Sequence, residues 1–457
     1  MMKKTVVINV VGLSKNLIGT STPFLNNYIK KKRTAFIKPI IPAVTCAVQA
    51  TYFTGKTPTE HGIVGNGWYF KDLCEIKFWH QSNKLVQSPK LWEMAKSMDP
   101  SFTCANMFWW FNMYSSVDFS ITPRPQYHAD GIKLPDVYSH PPELRDLMQK
   151  ELGTFPLFDF WGPKTSIKSS KWIADASMRA DEVNNPTLTL IYLPHLDYCL
   201  QKFNKEDQRI KSDLAEIDKV CEDLVKFYEG RDAQVIILSE YGINEVSNPI
   251  SLNRIFRENG LLAVREESGH ELLDPGASEA FAVVDHQLAH IYVNDLNKMN
   301  QVRAILEKTP GIEMILGKEE KKLHGLDHSR AGDLVVLADR KSWFNYYYWL
   351  DDAKAPDFAR IVEIHKKPGF DPVEMFLNPS IKFPLVKVGS ILMKKKLGFR
   401  YLMDVIPLDP SLIKGSHGRY PDSPEEGPLI IASEDSPLNK NAIDATEVCN
   451  LILDHLR

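Results

Sequence analysis

The apolar positions of this chain fall first into short runs of aliphatic and β-branched residues, each bounded by polar or turn residues. Runs that are apolar at almost every position are typical of strands buried on both faces of a parallel sheet. They lie at residues 5–11, 188–193, 233–238, 290–293 and 333–337. The pattern therefore predicts a mostly parallel central sheet.

Between several of these runs, apolar residues recur every three or four positions, which is the period of a helix with one buried face. The longest example spans residues 205–229, and shorter ones span 90–96, 252–259 and 298–307. Because strands and helices alternate, the predicted fold class is α/β, with helices flanking the sheet.

Two segments break this alternation. Residues 105–185 are rich in aromatic residues and proline, and we predict that they form a cap inserted over a pocket. Residues 340–412 contain a dense aromatic run at 343–349 and are predicted to form a second insertion. The core would then consist of residues 1–104 and 186–457.

Composition and charge narrow the function classes. The formal net charge of −3 provides no basic footprint for nucleic acid, so no nucleic-acid partner is expected. No stretch approaches the roughly eighteen apolar residues that a membrane span needs. The six cysteines are scattered without a C-x-x-C spacing, which favours reduced thiols over a disulfide framework. A cytoplasmic location is the resulting prediction.

Candidate chemistry lies just beyond the predicted strands, because ligands of open α/β sheets bind at the carboxyl ends of the strands. Asp197 follows the run 188–193, and Glu240 with Tyr241 follows the run 233–238. Thr45 follows a proline-bounded segment early in the chain, and His417 lies in a glycine-rich segment near its end.

The order of several segments resembles the nucleotide pyrophosphatase/phosphodiesterase branch of the alkaline phosphatase superfamily, and within it most the phosphonoacetate hydrolases. Thr45 precedes the segment TGKTPTEHGI at 54–63 by nine residues, as in that family. The segments that continue the resemblance are 64–70, 91–96, 196–197, 239–243, 289–293 and 416–418. The resemblance runs nearly from end to end and is weakest at 340–412.

The resemblance implies a threonine nucleophile and two metal ions, usually zinc, with Thr45, Asp197 and His417 at matching positions. Other positions depart from the family pattern. The histidine of its D-x-x-x-H motif falls on Gln201, and the pair of its S-D-H-G motif falls on Glu240 and Tyr241. The aspartate that ends its first strand falls on Val11, although Asn9 lies on the same face of that strand.

These departures disfavour a standard two-zinc site, because glutamine is a poor zinc ligand and valine is none. Three outcomes stay open. One divalent metal is held by Asp197 and His417 with help from Gln201, and such an oxygen-rich set suits magnesium or manganese better than zinc. Alternatively, His286 and His290, spaced i and i+4 on one side of a strand or helix, rebuild a site. In the third outcome no metal binds.

The sequence therefore predicts a hydrolase that acts on a small-molecule phosphate ester, pyrophosphate or phosphonate. Thr45 would be the nucleophile, and Asp197, Glu240 and His417 would surround a remodelled metal site. Tyr241 either donates a hydrogen bond to an oxyanion or fills space. The competing hypothesis is a non-hydrolytic descendant of the fold that binds a phosphorylated or apolar metabolite as an accessory factor in a biosynthetic pathway.

Overall fold

The structure is a computed structural model that describes residues 2–129, 132–399 and 401–457. Its strands are β1 (Thr5–Val10), β2 (Arg33–Lys38), β3 (Gly67–Phe70), β4 (Glu75–Phe78), β5 (Cys104–Met107), β6 (Phe119–Pro123), β7 (Gln126–Tyr127), β8 (Lys133–Leu134), β9 (Val137–His140), β10 (Leu188–Leu193), β11 (Gln234–Leu238), β12 (Asn244–Glu245), β13 (Asn248–Ile250), β14 (Val264–Glu267), β15 (His270–Leu273), β16 (Ala280–Asp285), β17 (Leu288–Val293), β18 (Ile312–Leu316), β19 (Leu334–Ala338), β20 (Ser342–Phe344), β21 (Gly415–Ser416), β22 (Leu429–Ala432) and β23 (Ala442–Asp444). Its α-helices are α1 (Pro23–Tyr28), α2 (Thr45–Thr54), α3 (Pro58–His61), α4 (Leu91–Met98), α5 (Pro142–Leu152), α6 (Leu157–Phe160), α7 (Ile167–Asn184), α8 (His195–Lys202), α9 (Gln208–Glu229), α10 (Leu252–Glu258), α11 (Met299–Lys308), α12 (Lys318–Leu323), α13 (Pro384–Lys396) and α14 (Val448–His455).

A central sheet organises the fold. Among the described residues it has nine strands in the order β23-β2-β22-β11-β1-β10-β5-β6-β9. Strand β1 lies between β10 and β11 and is parallel to both, and β10, β5 and β6 continue in parallel. Every residue of β1 and β10 is buried, as the continuous apolar runs predict. The predicted α/β class with a mostly parallel sheet is confirmed.

Helices cover this sheet. Helix α7 packs on β5 and β10, and α9 packs on β11 and on α7. The apolar face predicted in residues 205–229 is buried at Ile210, Leu214, Ile217 and Leu224. No helix in the described ranges is long and apolar enough to cross a membrane.

A second, smaller sheet carries part of the candidate site. Strands β16, β17, β19 and β18 form it in that order, and all of its pairs are antiparallel. The predicted strands at 290–293 and 333–337 belong to this sheet, so their expected place in the parallel sheet is wrong. An apolar run reports burial but not the partner strand. Most of the aromatic run at 343–349 packs in the hydrophobic core beside this second sheet, and its first residue, Trp343, packs in a separate small cluster.

The segment 105–185 differs from the predicted cap. It supplies β5, β6 and β9 to the central sheet, and α7, which packs on that sheet. Several of its aromatic residues are core residues: Phe108, Phe155 and Trp172 contact one another with ring centroids 5.0 to 6.0 Å apart. Most of the segment therefore lies within the core layers, and the domain limits stay a prediction.

Candidate functional site

The carboxyl ends of three adjacent central strands converge on one site. Asn9 is near the end of β1, Asp197 lies in the first turn of α8 after β10, and Glu240 with Tyr241 follows β11. Thr45 is the first residue of α2, which begins where the chain leaves a loop beside His417. The structure thus brings together residues that are up to 408 positions apart, from Asn9 to His417.

The Thr45 hydroxyl is the start of a hydrogen-bonded chain. Its Oγ1 lies 2.9 Å from the hydroxyl of Tyr241, and that hydroxyl donates to Asp197 Oδ1 over 3.3 Å. Burial, followed by the charges of Asp197 and Glu240, raises the pKa of Tyr241 well above its usual range, so the phenol keeps its proton. With Tyr241 donating to Asp197, Thr45 donates to Tyr241, and the Thr45 proton points along a path to a carboxylate.

Cys46, the neighbouring sulfur, is a poor competitor for the role of nucleophile. Burial raises the pKa of its thiol well above the usual range, and the charges of Asp285 and Glu240 add to that effect. A protonated thiol is a weak nucleophile. Its backbone N–H donates to Asn66 Oδ1 over 2.9 Å, which orients the start of α2 beside Thr45.

Glu240 is held in a polar cradle below Thr45. The side-chain amides of Asn9 and Gln49 both donate to its Oε1, each over 2.6 Å. The other end of the Gln49 amide accepts the backbone N–H of Trp110 over 2.7 Å. Burial raises the pKa of Glu240 to about 8, although the hydrogen bonds from Gln49 and Asn9 oppose that rise. Without a nearby positive charge, this carboxyl is therefore largely protonated at neutral pH.

The raised pKa of Glu240 predicts how stability depends on pH. Between the usual pKa range of glutamate and pH 8, Glu240 keeps its proton in the folded state but loses it in the unfolded state. The free energy of unfolding therefore falls as the pH rises through that interval. In the presence of a chelator, Glu240→Gln should remove this loss, which is on the order of 4 kcal/mol by pH 9. Urea unfolding at pH 5, 7 and 9 measures it. Glu307→Gln, an exposed position, is the matched control; equal slopes for wild type and Glu240→Gln would contradict the assignment.

His417 has one nitrogen committed and one facing the site. Its Nδ1 lies 2.8 Å from the carbonyl oxygen of Ala43, which can only accept, so Nδ1 carries the proton. Its Nε2 lies 3.4 Å from Asp197 Oδ1. The imidazole stacks on the Tyr241 ring, with centroids 3.6 Å apart and an interplanar angle of 9°. This packing fixes both rings and keeps the lone pair of Nε2 on the side of Asp197.

His286 is brought to the same site from the second sheet. Its Nδ1 lies 2.7 Å from Asp285 Oδ1, and its ring centroid is 3.8 Å from that of His417. Burial lowers the pKa of His286 to about 4, and the neighbouring His417 adds to the effect, so the imidazole is neutral at pH 7. A carboxylate behind a neutral histidine, as here, is the arrangement that orients metal-binding imidazoles.

His290 does not accompany His286. The expected pair on one side of a single strand or helix is wrong, because His286 lies in the tight turn between β16 and β17, with a φ of +62°, while His290 lies within β17. Both nitrogens of His290 are engaged: Nε2 donates to the carbonyl of Val64 over 2.8 Å, and Nδ1 accepts the N–H of Gly332 over 3.1 Å. Because both of its nitrogens are hydrogen-bonded to the backbone, His290 has no free nitrogen for a ligand.

The acceptor atoms of the site are more numerous than the donors around them. Gln201 donates its amide to Asp197 Oδ2 over 3.1 Å, which leaves its oxygen free. Five buried polar atoms in this region have no hydrogen-bond partner among the described residues: Asn9 Oδ1, Gln201 Oε1, His286 Nε2 and His417 Nε2, which are acceptors, and Glu240 Oε2, which becomes one when the carboxyl loses its proton. Buried polar atoms are nearly always paired, so a cluster of free lone pairs is suited to a cation.

A large cavity opens above these residues. It has a volume of about 2280 Å³, and Thr45, Asp197, Tyr241 and His286 are on its wall. Six aromatic side chains form much of the remaining surface near the site: Trp79, Trp110, Phe160, Trp161, Tyr198 and Phe370. Glu240, Gln201 and His417 are buried behind that wall. A ligand in the cavity would therefore meet the Thr45 hydroxyl directly.

Another group of side chains has metal-binding character. His195 Nε2 lies 3.1 Å from Asp213 Oδ1, and ligand atoms of these two residues and Cys199 all lie within 4.8 Å of one another. Burial, followed by Asp213, raises the pKa of Cys199 well above its usual range, so the sulfur is a thiol. This group connects α8 with α9, and none of its three members is on the wall of the cavity.

Comparison with known proteins places the chain. A sequence profile of the type I phosphodiesterase / nucleotide pyrophosphatase family matches residues 5–371. The ectonucleotide pyrophosphatase/phosphodiesterase 1 of Saccharomyces cerevisiae is 25% identical in an alignment of 277 residues that covers 54% of this chain and 34% of that protein. The chain thus spans about a third of the length of this curated relative.

Solved structures give the same answer for the fold. Human ectonucleotide pyrophosphatase / phosphodiesterase 5 superposes with a TM-score of 0.61 at 12% identity, covering 100% of this chain and 96% of its own. The phosphonoacetate hydrolase of Sinorhizobium meliloti 1021, in complex with phosphonoacetate, superposes with a TM-score of 0.62 at 12% identity, covering 99% and 96%. An inactive murine phosphodiesterase 5 in complex with AMP has a TM-score of 0.59 at 14% identity, covering 99% and 95%.

The fold and the matched segment together define the class: a mostly parallel α/β sheet with its candidate site at the carboxyl ends of the central strands. The chain belongs to the type I phosphodiesterase / nucleotide pyrophosphatase family, since the profile covers most of its length. The family predicted from the sequence segments is confirmed. His417 and the segment around α13 lie beyond the matched range.

Proposed function

We propose that this protein hydrolyses a phosphate ester, pyrophosphate or phosphonate, with Thr45 as nucleophile and a bound divalent cation beside it. The observation that carries the proposal is the cluster of five unpaired buried polar atoms around the hydrogen-bonded chain from Thr45 to Asp197. Family membership supports the same reaction type. The murine relative in complex with AMP and the bacterial relative in complex with phosphonoacetate indicate small phosphorylated or phosphonate ligands.

The donor set favours one cation over two. Asp197, His417 and Gln201 would hold it, and His286 offers a further free nitrogen at the same wall. Glu240 and Thr45 alone leave too few strong donors for a second tightly held ion, because Tyr241 keeps its proton. A donor set that mixes oxygen atoms with imidazoles suits zinc or manganese. Magnesium would prefer a set with fewer imidazoles. When bound, the cation would supply positive charge near the phosphoryl oxygens.

The chain's own groups prepare the nucleophile. Thr45 passes its proton to the Tyr241 oxygen as Tyr241 passes its own proton to Asp197, so the Thr45 oxygen gains nucleophilic character as it approaches phosphorus. A bond forms between Thr45 Oγ1 and phosphorus, and the bond to the leaving oxygen or carbon breaks with its electron pair, which takes up a proton. Water then cleaves the phosphoryl group from Thr45 and returns the hydroxyl.

Tyr241 has a distinct place in this scheme. It occupies the position at which the resembled family keeps a metal-ligating histidine, and it replaces a ligand with a hydrogen-bond relay. Its ring is held between Thr45 and His417, with Asp197 beyond its hydroxyl. We infer that this residue positions Thr45, and that the cation is displaced toward Asp197 and His417.

Metal titration combined with a turnover assay tests the proposal. We expect the protein, stripped with chelator, to bind about one equivalent of zinc or manganese by calorimetry, and to cleave a p-nitrophenyl phosphodiester or phenylphosphonate only when reloaded. Binding of a phosphorylated ligand without turnover under any of these metals would instead support the non-hydrolytic alternative. Absence of both metal binding and turnover would refute the proposal.

A further inference from the structure

The segment around α13 exposes an unusual amount of apolar surface. Of the nineteen large apolar side chains exposed in the described residues, nine lie between positions 377 and 402. Leu385 is 86% exposed, Phe383 71% and Leu397 65%. In contrast, α13 buries only one side chain, Ile391. Monomeric proteins in water rarely expose contiguous apolar patches of this kind without a partner.

The exposed side chains share one side of the helix. Spacings of four and seven residues bring side chains to the same side of a helix. One such row is Leu385, Leu392 and Lys396, and a second row beside it is Val386, Met393 and Leu397. All six side chains are exposed, so this side of α13, with its five apolar residues, is left uncovered by the rest of the protein. This is the reverse of the usual surface helix, in which the apolar side faces the core.

The charges of the same segment have one sign. From 375 to 403 the sequence contains five lysines and no aspartate or glutamate. Lys387 pairs with Asp404 at 2.8 Å, whereas Lys394, Lys395 and Lys396 form no ion pair with any described residue. Lys395 Nζ lies over the Tyr401 ring, 5.5 Å from its centroid. Three adjacent ammonium groups without a carboxylate partner, at the end of an apolar helix, complement an anionic surface, although the whole chain carries a net charge of −3.

The segment also borders the entrance to the cavity. Leu385, Val388, Leu392 and Phe399 contribute to the cavity wall, together with Lys395. The apolar surface of α13 and the aromatic wall that leads toward Thr45 are therefore continuous. A molecule with an apolar tail could pass from one to the other without exposing that tail to water.

We propose that α13 and the residues that flank it, 381–399, dock this protein onto an anionic lipid surface. The apolar side would enter the boundary between headgroups and acyl chains, and Lys394, Lys395 and Lys396 would contact the anionic headgroups. Docking would place the mouth of the cavity at the lipid surface. This inference does not depend on hydrolysis, because it rests on exposed residues outside the cluster around Thr45.

Vesicle flotation tests the proposal with the full-length protein. Vesicles of phosphatidylcholine with phosphatidylserine should carry the protein upward, and vesicles of phosphatidylcholine alone should do so much less. Leu385→Ser combined with Leu392→Ser should weaken binding at least about tenfold. Replacing Lys394, Lys395 and Lys396 by glutamine should weaken it by about fivefold per lysine and remove its dependence on salt.

The control is Leu323→Ser, which removes an exposed leucine on α12 that is 85% exposed. It should bind vesicles like the wild type, and thermal melting should show that all variants are folded. No binding of the wild type to anionic vesicles would overturn the proposal. So would binding that both α13 variants retain. Self-association in sedimentation velocity that the leucine variant abolishes, without vesicle binding, would show that a second copy covers this surface, and would overturn it too.

Discussion

Thr45→Ala should abolish turnover while leaving the cation site in place. Removing a nucleophile that forms a covalent bond lowers kcat by roughly 10³-fold or more. Asp197, Gln201 and His417 are held by their own hydrogen bonds and by the stacking of His417 on Tyr241, so metal affinity should change little. Single-turnover kinetics and metal calorimetry on the same preparation measure the two effects separately.

Thr45→Ser provides the informative comparison, because serine keeps the hydroxyl at 2.9 Å from Tyr241 but loses the methyl group. It should restore much of the activity. Thr59→Ala, at an exposed position in α3, should behave like the wild type. Full activity of Thr45→Ala would refute the nucleophile assignment, and equal loss in Thr45→Ser would show that the methyl packing matters more than the oxygen.

Asp197→Asn should remove both cation binding and turnover. Asp197 is the common partner of Tyr241, Gln201 and His417, with atom pairs 3.1 to 3.4 Å apart. The substitution preserves size but deletes the only charge that this set contributes near Thr45, and the new amide would direct hydrogens at groups that already donate. We expect the cation affinity to fall at least about 100-fold, which is the upper range for disturbing a metal environment.

Metal calorimetry and the p-nitrophenyl assay, at several metal concentrations, check this expectation. If excess cation restores turnover in Asp197→Asn, the residue acts mainly by binding the ion; if it does not, the carboxylate is also needed as the end of the proton path from Thr45. Asp72→Asn, at an exposed position with no ion pair among the described residues, is the matched control. Unchanged metal affinity in Asp197→Asn would contradict the proposed ligand set.

Three strands of the central sheet and six members of the candidate site, Thr45, Asp197, Gln201, Glu240, Tyr241 and His417, could be predicted from the sequence. Strands β1, β10 and β11 are continuous apolar runs, and polar residues follow two of them directly, so the place of Asp197 and Glu240 depends on local signals only. The resemblance to the family, carried by the order of its segments, predicts Thr45 and His417. Their approach to Asp197 is a long-range contact that no local pattern contains.

Neither local patterns nor the order of family segments predicts the contacts of two other residues of the site. Gln49 lies one turn after Thr45 on α2, and only the folded position of Glu240 shows that this amide is a donor to it. His286 was paired with the wrong neighbour, because a turn with positive φ interrupts the strand pattern between 285 and 288. Strand pairing is nonlocal, so the aromatic and proline content of residues 105–185 gives no sign that β5, β6 and β9 join the central sheet.

The position of β1 in the middle of the sheet has a consequence for how the molecule opens. Its amides are bonded on both sides, to β10 and to β11, and these three strands also carry Asn9, Asp197 and Glu240 at or just beyond their ends. Core strands that are bonded on both edges exchange their amide hydrogens mainly through large-scale unfolding. We therefore expect β1 and the site residues at its end to exchange slowly, and α13, which buries only Ile391, to exchange faster.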